Sequence, residues 1–419
     1  MKILYVSQYF PPEMGAPSAR VHELSRLWVR RGHQVTVLTA FANHPTGVKA
    51  RRDRGVLSRR EVLDGIEVLR TYSYATPNRG VFRRMASYAS FGISASTLGR
   101  LRLRRYDVVI ATSPQLLCGL AGYTLARTLG SPFIFEVRDL WPESILAVGA
   151  MGENLVVRGL KRVAAHLYRH ADRIVTVGEG YREKIHELYG IDPSRIDVIS
   201  NGIDKDLFVP NGRGDGIRQK YGWKDRFVVM YVGAHGMAHA LHRVLEAARG
   251  LARDSEILFV FVGEGAEKAR LKRQAREWDL RNVQFVDPQP RSRTPQFYSA
   301  CDLGLVTLKD SSLFRAVLPS KIFEYLGMER PILISVDGEA REIVEGCGAG
   351  RYVPPEDVPA MMDAIRKMSR SREELERMGR RGRRHVLENY DRDRLAGRYL
   401  EILKGGWGSR TRRSSLARN

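Results

Sequence analysis

The sequence predicts two α/β domains in tandem, each a Rossmann-like parallel sheet wrapped by helices. Two observations carry this. Short apolar runs alternate with helix-length amphipathic stretches along most of the 419 residues, which is the pattern of a doubly wound sheet. The alternation breaks near Asn201-Gly202-Ile203-Asp204, a turn-rich segment leading to Pro210-Asn211-Gly212, and a chain of this length accommodates two domains. Two such halves imply a cleft between them, with ligands at the carboxyl ends of the strands.

The elements follow in order. Strands are expected over 2–7, 34–40, 107–111, 132–137, 173–177 and 196–200, with helical patterns over 18–31, 115–129 and 152–170 between them. After the break, strands are expected over 226–232, 256–262, 282–286, 303–307 and 331–335, with helices over 241–252 and 267–277. Roughly 372–403 reads as two charged helices. The expected organisation is one Rossmann-like domain over 1–203 and a second over 204–385. A helix over 386–404 is expected to cross back to the first domain, and 405–419 to form a disordered basic tail.

Composition narrows the function. Cys118, Cys301 and Cys347 are far apart and odd in number, which fits a reducing cytoplasm and argues against a structural zinc. The apolar start is too short for a signal peptide, and Gln8, Pro11 and Pro12 end it. No apolar run has the length of a spanning helix. The net charge of +22 calls for an anionic partner, either nucleic acid or a membrane surface. Arginines cluster at 51, 52, 54, 59 and 60, and again as Arg79, Arg83, Arg84, Arg100, Arg102, Arg104 and Arg105. The second cluster flanks an apolar segment containing Tyr88 and Phe91. Such a segment reads as a helix lying in a membrane surface, or equally as a helix packed on the sheet with a solvated basic edge.

Several strand ends and helix starts carry chemistry. The richest is Leu318-Pro319-Ser320-Lys321-Ile322-Phe323-Glu324. A helix start there offers free N–H groups to a phosphate, and Lys321 adds a charge. Glu324, one turn deeper on the same face, is placed to accept two ribose hydroxyls. The alternative is that Ser320 merely caps the helix, but a capping box needs its Glu at Phe323. The turn after 226–232 holds Gly233, His235 and His239; the histidines read as neutral or charged diphosphate donors, or as surface residues. Gly265 and Asp287 follow the next two strands and are expected to line the same nucleotide. Gly15 and Ala16 let the first loop approach a ligand closely. Arg138, Asp139 and Glu143 crowd the end of the strand over 132–137. They read as an active site in which Arg138 neutralises phosphate or orients a sugar and a carboxylate serves an acceptor hydroxyl. The alternative is a structural Arg–Asp pair. Asp204–Asp206 and Asp391–Asp393 match a metal-binding spacing but lie in a linker and before a terminal helix, so neither is assigned a metal.

Taken in order, these segments resemble the family-4 retaining glycosyltransferases of the GT-B fold. The loop Arg138-Asp139-Leu140-Trp141-Pro142-Glu143-Ser144 is similar to the branch that builds bacterial O-antigen or capsule, which includes N-acetyl-L-fucosamine transferases. The resemblance implies retaining transfer from a UDP-sugar without metal or other cofactor, with Ser320 and Lys321 on the diphosphate and Glu324 on the ribose. It implies a polyprenyl-diphosphate-linked saccharide as acceptor, an anionic membrane surface as partner, and a place in the cytoplasm on the inner face of the bacterial plasma membrane. Four positions depart from the family. Ala234 and His239 replace an Arg and a Lys, Ala316 replaces a first Glu eight positions before Glu324, and Arg138 replaces a His. Phosphate charge must then come from Lys321, Arg138 or the histidines. The rivals are a nucleic-acid-binding protein, for which no recognition motif appears, and a sugar-nucleotide epimerase of the same fold.

Overall fold

The structure is a computed structural model that describes residues 1–13, 15–43, 47–76 and 81–405. It divides into two units. The first comprises Met1–Ser200 and the chain from Asp393; the second is Asn201–Arg392. The return to the first unit thus falls at Asp393 rather than at 386, and residues 386–392 belong to the second.

The first unit is one eight-stranded sheet. Its strands are β1 (Lys2–Val6), β2 (Gln34–Ala40), β3 (Ser58–Leu63), β4 (Ile66–Thr71), β5 (Val108–Thr112), β6 (Phe133–Val137), β7 (Arg173–Thr176) and β8 (Ile196–Val198). Their spatial order is β3-β4-β2-β1-β5-β6-β7-β8. All pairs are parallel except β3 with β4. The sequence reading missed this β3–β4 hairpin, although Asp64-Gly65, with φ of 52° and 78°, is the two-residue turn that joins such strands. Within it Arg59 pairs with Asp53 and Glu61, so part of the first basic cluster is spent on local ion pairs.

Two helices fix this unit's faces. Helix Ala16–Arg30 starts earlier than expected because Pro17 fits its first turn, where no N–H is needed. Its Trp28 is fully buried, donates Nε1–H to the Ala396 carbonyl at 3.0 Å, and meets Tyr399 edge-on at 5.3 Å. That contact fastens helix Arg392–Lys404 to the unit. The other is helix Val81–Arg102. One face of its apolar segment packs into the unit: Phe91 is fully buried, and Ser94 Oγ bonds the Phe91 carbonyl and the Thr71 hydroxyl. Phe91 is therefore a core residue, not a membrane or acceptor contact. Arg83 and Arg100 remain exposed and Arg84 and Tyr88 half-buried. Arg79 and the basic tail beyond 405 fall outside the described residues.

The second unit is a six-stranded sheet, all parallel, in the order β11-β10-β9-β12-β13-β14. Its strands are β9 (Phe227–Val232), β10 (Ile257–Val262), β11 (Val283–Val286), β12 (Leu303–Thr307), β13 (Ile332–Ser335) and β14 (Gly350–Tyr352). β9 and β10 are buried along nearly their whole length, as continuous apolar runs of a two-faced parallel sheet must be. The segments where the chain enters and leaves this unit are bonded to each other. Ile203 N–H donates to the Tyr390 carbonyl at 2.8 Å, and Arg392 donates to the Asn201 and Gly202 carbonyls.

Truncating Trp28→Ala removes a buried ring and its anchor on the terminal helix. It should lower unfolding stability by about 3–5 kcal/mol, read by urea denaturation, whereas an exposed change such as Arg100→Ala should stay within about 0.5 kcal/mol.

Candidate active site

In the second unit the site is built where the turns after β9 and β10 cross. Gly233 and Gly263 have φ of 139° and 145°. A Cβ on Gly263 would lie 1.9 Å from the Gly233 carbonyl oxygen, and one on Gly265 would lie 2.4 Å from that of His235. Only glycine lets the two turns interlock, and they do so through His235 N–H to Glu264 O at 2.9 Å and Glu267 N–H to His235 O at 2.9 Å. A Cβ on Gly233 would lie 3.1 Å from the Lys321 Nζ and 3.8 Å from the Tyr231 hydroxyl.

Lys321 opens helix Lys321–Gly327. Its Nζ is buried, lies 3.6 Å from the centre of the Tyr231 ring, and has no hydrogen-bond partner. Burial pulls its pKa down to about 7, against the pull of Glu324. The His235 ring is fully buried with neither nitrogen bonded, and His239 Nδ1 is likewise unbonded. Burial, reinforced by Lys268 and Lys321 for His235 and by Lys321 for His239, pushes both down to about 3. The histidines are therefore neutral in the ligand-free protein at neutral pH, and the buried His235 ring is not a surface residue. Buried polar groups are nearly always bonded, so this cluster of cation and imidazoles is set up for an anion.

The neighbouring residues sort out as follows. Leu318 is buried and holds the turn. Ser320 adopts helical backbone angles and makes no side-chain cap bond, so its hydroxyl is not used up as a cap; Pro319 accepts from Ile322 N–H at 3.1 Å. Glu324 is held by Arg291 on Oε1 and by the Tyr298 hydroxyl on Oε2 at 2.5 Å. The Asp287 carboxylate pairs with Lys268 at 2.8 Å and its carbonyl accepts from Gln289, so Asp287 braces the turn of β10 through Lys268. A cavity of about 280 Å³ beside the turn is lined by Met237, Leu241, His242, Arg270 and Lys309, and not by Lys321, His235 or Glu324. Among the described residues no group of three or more His, Cys, Asp or Glu gathers as metal ligands. Asp391 pairs instead with Lys205 at 2.6 Å.

In the first unit the corresponding strand ends carry Arg138, Asp139 and Glu143. Beneath them Glu136, fully buried, accepts from Arg20 Nε at 2.9 Å and from the Tyr5 hydroxyl at 2.5 Å. Burial opposes its ionisation, but Arg20 and Arg138 more than offset this and hold it below the usual carboxylate range. Arg20 also donates to the Ser200 and Ile199 carbonyls, so this charge is structural and fully engaged. Arg138 is different: its Nε and Nη1 are buried without partners, and burial lowers its pKa against the pull of Glu136. Ser113, after β5, receives the Arg138 and Asp139 N–H groups on its hydroxyl. Asp139 accepts from Ser144 at 3.1 Å and is bonded by Tyr181. Burial raises its pKa above the usual value. The structure thus shows no Arg138–Asp139 hydrogen bond; the predicted structural pair is instead Arg20 with Glu136. Glu143 receives the Tyr189 hydroxyl on Oε1 at 2.5 Å and leaves Oε2 buried and unbonded. Tyr88, bonded to Tyr9, faces Trp141 edge-on at 6.4 Å. Gly15, with φ of 130°, and Ala16 are exposed at the mouth of the first loop.

Ser113, Tyr181, Lys268, Arg291 and Tyr298 were not found from sequence. The only available signal was position: Ser113 and Arg291 follow predicted strands.

The chain is similar to known proteins in family, in sequence and in fold. A Glycosyl transferase 4-like domain matches residues 15–202, and Glycosyl transferases group 1 matches residues 215–385. The glycosyltransferase WbjE of Pseudomonas aeruginosa is 30% identical over 271 residues, 63% of this chain and 66% of WbjE. The colanic acid biosynthesis glycosyl transferase WcaI of Escherichia coli K12 is 26% identical over 88% of this chain and 92% of its own. Among solved structures, sucrose-phosphate synthase from Thermosynechococcus elongatus superposes with a TM-score of 0.75 at 16% identity, covering 96% of this chain and 98% of its own. HepE of Anabaena in complex with UDP-glucose gives 0.74 at 17% identity, over 97% and 100%. The fold is GT-B.

An unfolded lysine titrates near 10.5 and Lys321 near 7. Between those values the unfolded chain holds a proton that the folded protein lacks, so this residue makes stability rise with pH from about 7 to about 10.5. Lys321→Met should therefore raise the stability of the ligand-free protein at pH 7 by a few kcal/mol. The gain should shrink by pH 10 in thermal melts.

Proposed function

The chain is a glycosyltransferase, a glycosyl transferase 4-like domain followed by a glycosyl transferases group 1 domain, and from that premise we propose that it moves a sugar from a UDP-sugar to a polyprenyl-diphosphate-linked saccharide in bacterial surface polysaccharide synthesis. The observation that carries the reading is the Lys321 ammonium, buried beside two neutral imidazoles with no hydrogen-bond partner. A buried unpaired cation is costly, and a diphosphate is the ligand that relieves it. The choice of UDP is supported by HepE, whose structure holds UDP-glucose. The polysaccharide setting is supported by WcaI, named for colanic acid synthesis.

Transfer proceeds with retention and without a metal, the departing UDP oxygen taking the acceptor hydroxyl's proton as the glycosidic bond loosens. Ser320, Lys321, His235 and His239 hold the diphosphate, and the N–H groups and close approach at Gly233 and Gly265 admit it. Charge grows on the leaving diphosphate in the transition state, so Lys321 acts where it counts most. Leu318, Pro319 and Asp287 shape and brace these turns, and Glu324 takes the ribose hydroxyls. Arg138, with two unbonded buried nitrogens, orients an anionic or hydroxylated group of the reactants; Asp139 and Glu143 orient the acceptor. Gly15 and Ala16 let the first loop come close to the donor. The donor sugar is a deoxy or N-acetylamino sugar such as N-acetyl-L-fucosamine, a reading supported by buried apolar Ala316 where the resembled family carries a Glu.

The lipid-linked acceptor places the enzyme in the cytoplasm, against the anionic inner face of the plasma membrane. No helix among the described residues is long and apolar enough to cross a membrane. Instead Ile93 and Leu101 stand 66% and 80% exposed on helix Val81–Arg102 beside exposed Arg83 and Arg100, a mixture that favours anionic lipid. Arg84 and Tyr88, on the same helix and both acting on Tyr9, contact the acceptor in this reading.

Calorimetric titration with UDP, GDP, ADP and NAD in EDTA tests the donor. Selective UDP binding, weakened in Glu324→Ala, is expected; binding of none of them refutes the reading. Lys321→Ala should cut turnover by about 100-fold or more, and unchanged turnover would remove its catalytic role. Flotation with phosphatidylglycerol vesicles should capture the protein at low salt, and an Ile93→Glu/Leu101→Glu double variant should stay behind.

A further inference from the structure

Glu324 is more constrained than a ligand-reading carboxylate needs to be for its own stability. Each of its oxygens already has one donor from the protein. Arg291 donates Nη1–H to Oε1, and the Tyr298 hydroxyl donates to Oε2 at 2.5 Å. Neither donor is casual. Tyr298 is fully buried, meeting Tyr325 edge-on at 4.7 Å and Phe208 at 5.9 Å. Tyr325 is itself pinned, giving its hydroxyl to the Met230 carbonyl at 2.7 Å and receiving Val232 N–H at 3.2 Å. The chain of contacts runs from the end of β9 through two tyrosines to one oxygen of Glu324. Burial, together with the Glu324 charge, holds the Tyr298 hydroxyl well above the ordinary phenol range, so it is always a donor. On the other side, the Arg291 guanidinium lies 4.9 Å from the centre of the Phe208 ring. The same phenylalanine thus steadies both donors.

A carboxylate has about four acceptor positions, two on each oxygen. With one taken on each side, one remains on each side, and the side chain is still 14% accessible. We propose that Tyr298 and Arg291 are positioning residues that clamp the Glu324 carboxylate, one donor per oxygen, so that the free position on each oxygen meets one of two vicinal ribose hydroxyls. A freely rotating carboxylate would read one hydroxyl at a time; a clamped one reads a cis-diol as a unit. The inference rests on the nucleotide reading above and adds to it how ribose is told from deoxyribose.

The test uses the full chain and whichever of UDP, GDP or ADP binds best, paired with its 2′-deoxy counterpart, in calorimetric titration. The wild type should prefer the ribo form by about 10- to 100-fold, the span of a hydrogen bond to a charged group. Tyr298→Phe, which removes one oxygen from a packed ring, and Arg291→Gln should each still bind the nucleotide but reduce that preference below about 3-fold. Glu324→Ala should have none. A merely structural role would weaken both nucleotides equally and leave the ratio intact. A wild-type ratio in both Tyr298→Phe and Arg291→Gln, with the ratio lost in Glu324→Ala, overturns the clamp and leaves the ribose reading standing. A ratio unchanged in Glu324→Ala, or absent in the wild type, overturns the ribose reading and the clamp with it. Should Tyr298→Phe fail to fold, the partly exposed Arg291 carries the test alone.

Discussion

A parallel sheet covered on both faces leaves its polar chemistry one place to go. Strands such as β1, β6, β9 and β10 are buried residue after residue, and a charge in their middle would be stranded in apolar surroundings. The backbone groups at the carboxyl ends of the strands are the ones released from the ladder. In both units the functional side chains collect there: Ser113 after β5, Arg138 after β6, Gly233 after β9, Gly263 after β10 and Asp287 after β11. Every later property of the protein, from turn glycines to shifted pKa values, follows from packing polar groups into those few loops.

Within the loops two kinds of buried charge are distinguishable. Glu136 with Arg20 and Tyr5 is saturated: each partner is bonded, and Arg20 spends its remaining N–H groups on the carbonyls of Ile199 and Ser200. That network stabilises the end of the first unit and has nothing left over for a ligand. Lys321 and Arg138 are the opposite, buried with nitrogens unbonded. Leaving a buried donor unmade costs roughly 1–3 kcal/mol and more for a charge, a cost that structure alone would not sustain. Glu324 lies between these cases. It is held by the protein on each oxygen and retains acceptor capacity, which is the state expected of a group that must be both rigid and available.

The fold was legible because it is written in local pattern. Continuous apolar runs such as 226–232 and 256–262 read as buried strands, and the structure places strands there within a residue or so at each end. The hairpin of β3 and β4 was not read, because β3 is a half-exposed edge strand with alternating Arg and Glu. Its apolar signal is weak and only the Asp64-Gly65 turn announces it. Helix Val81–Arg102 was ambiguous for a related reason. An apolar stretch flanked by arginines has the same composition whether lipid or a sheet covers it, and only the structure shows which side chains, such as Phe91, are buried and which, such as Ile93, are exposed.

By itself the sequence determined that there are two α/β units, where their strand ends lie, that Arg138 and Asp139 follow one such end, and that Lys321 and Glu324 stand at a helix start. Period and turn chemistry are properties of neighbouring residues, so they survive without a structure. Only the tertiary structure decided what those groups are. That His235 and His239 are neutral, that Lys321 is held near pH 7, and that Asp287 belongs to Lys268 depend on burial and on partners tens of residues away. The same holds for Tyr298 and Arg291, which meet Glu324 across 26 and 33 residues of chain. Protonation and hydrogen bonding depend on distances in space, and those distances exist only once the sheet has brought its strand ends together.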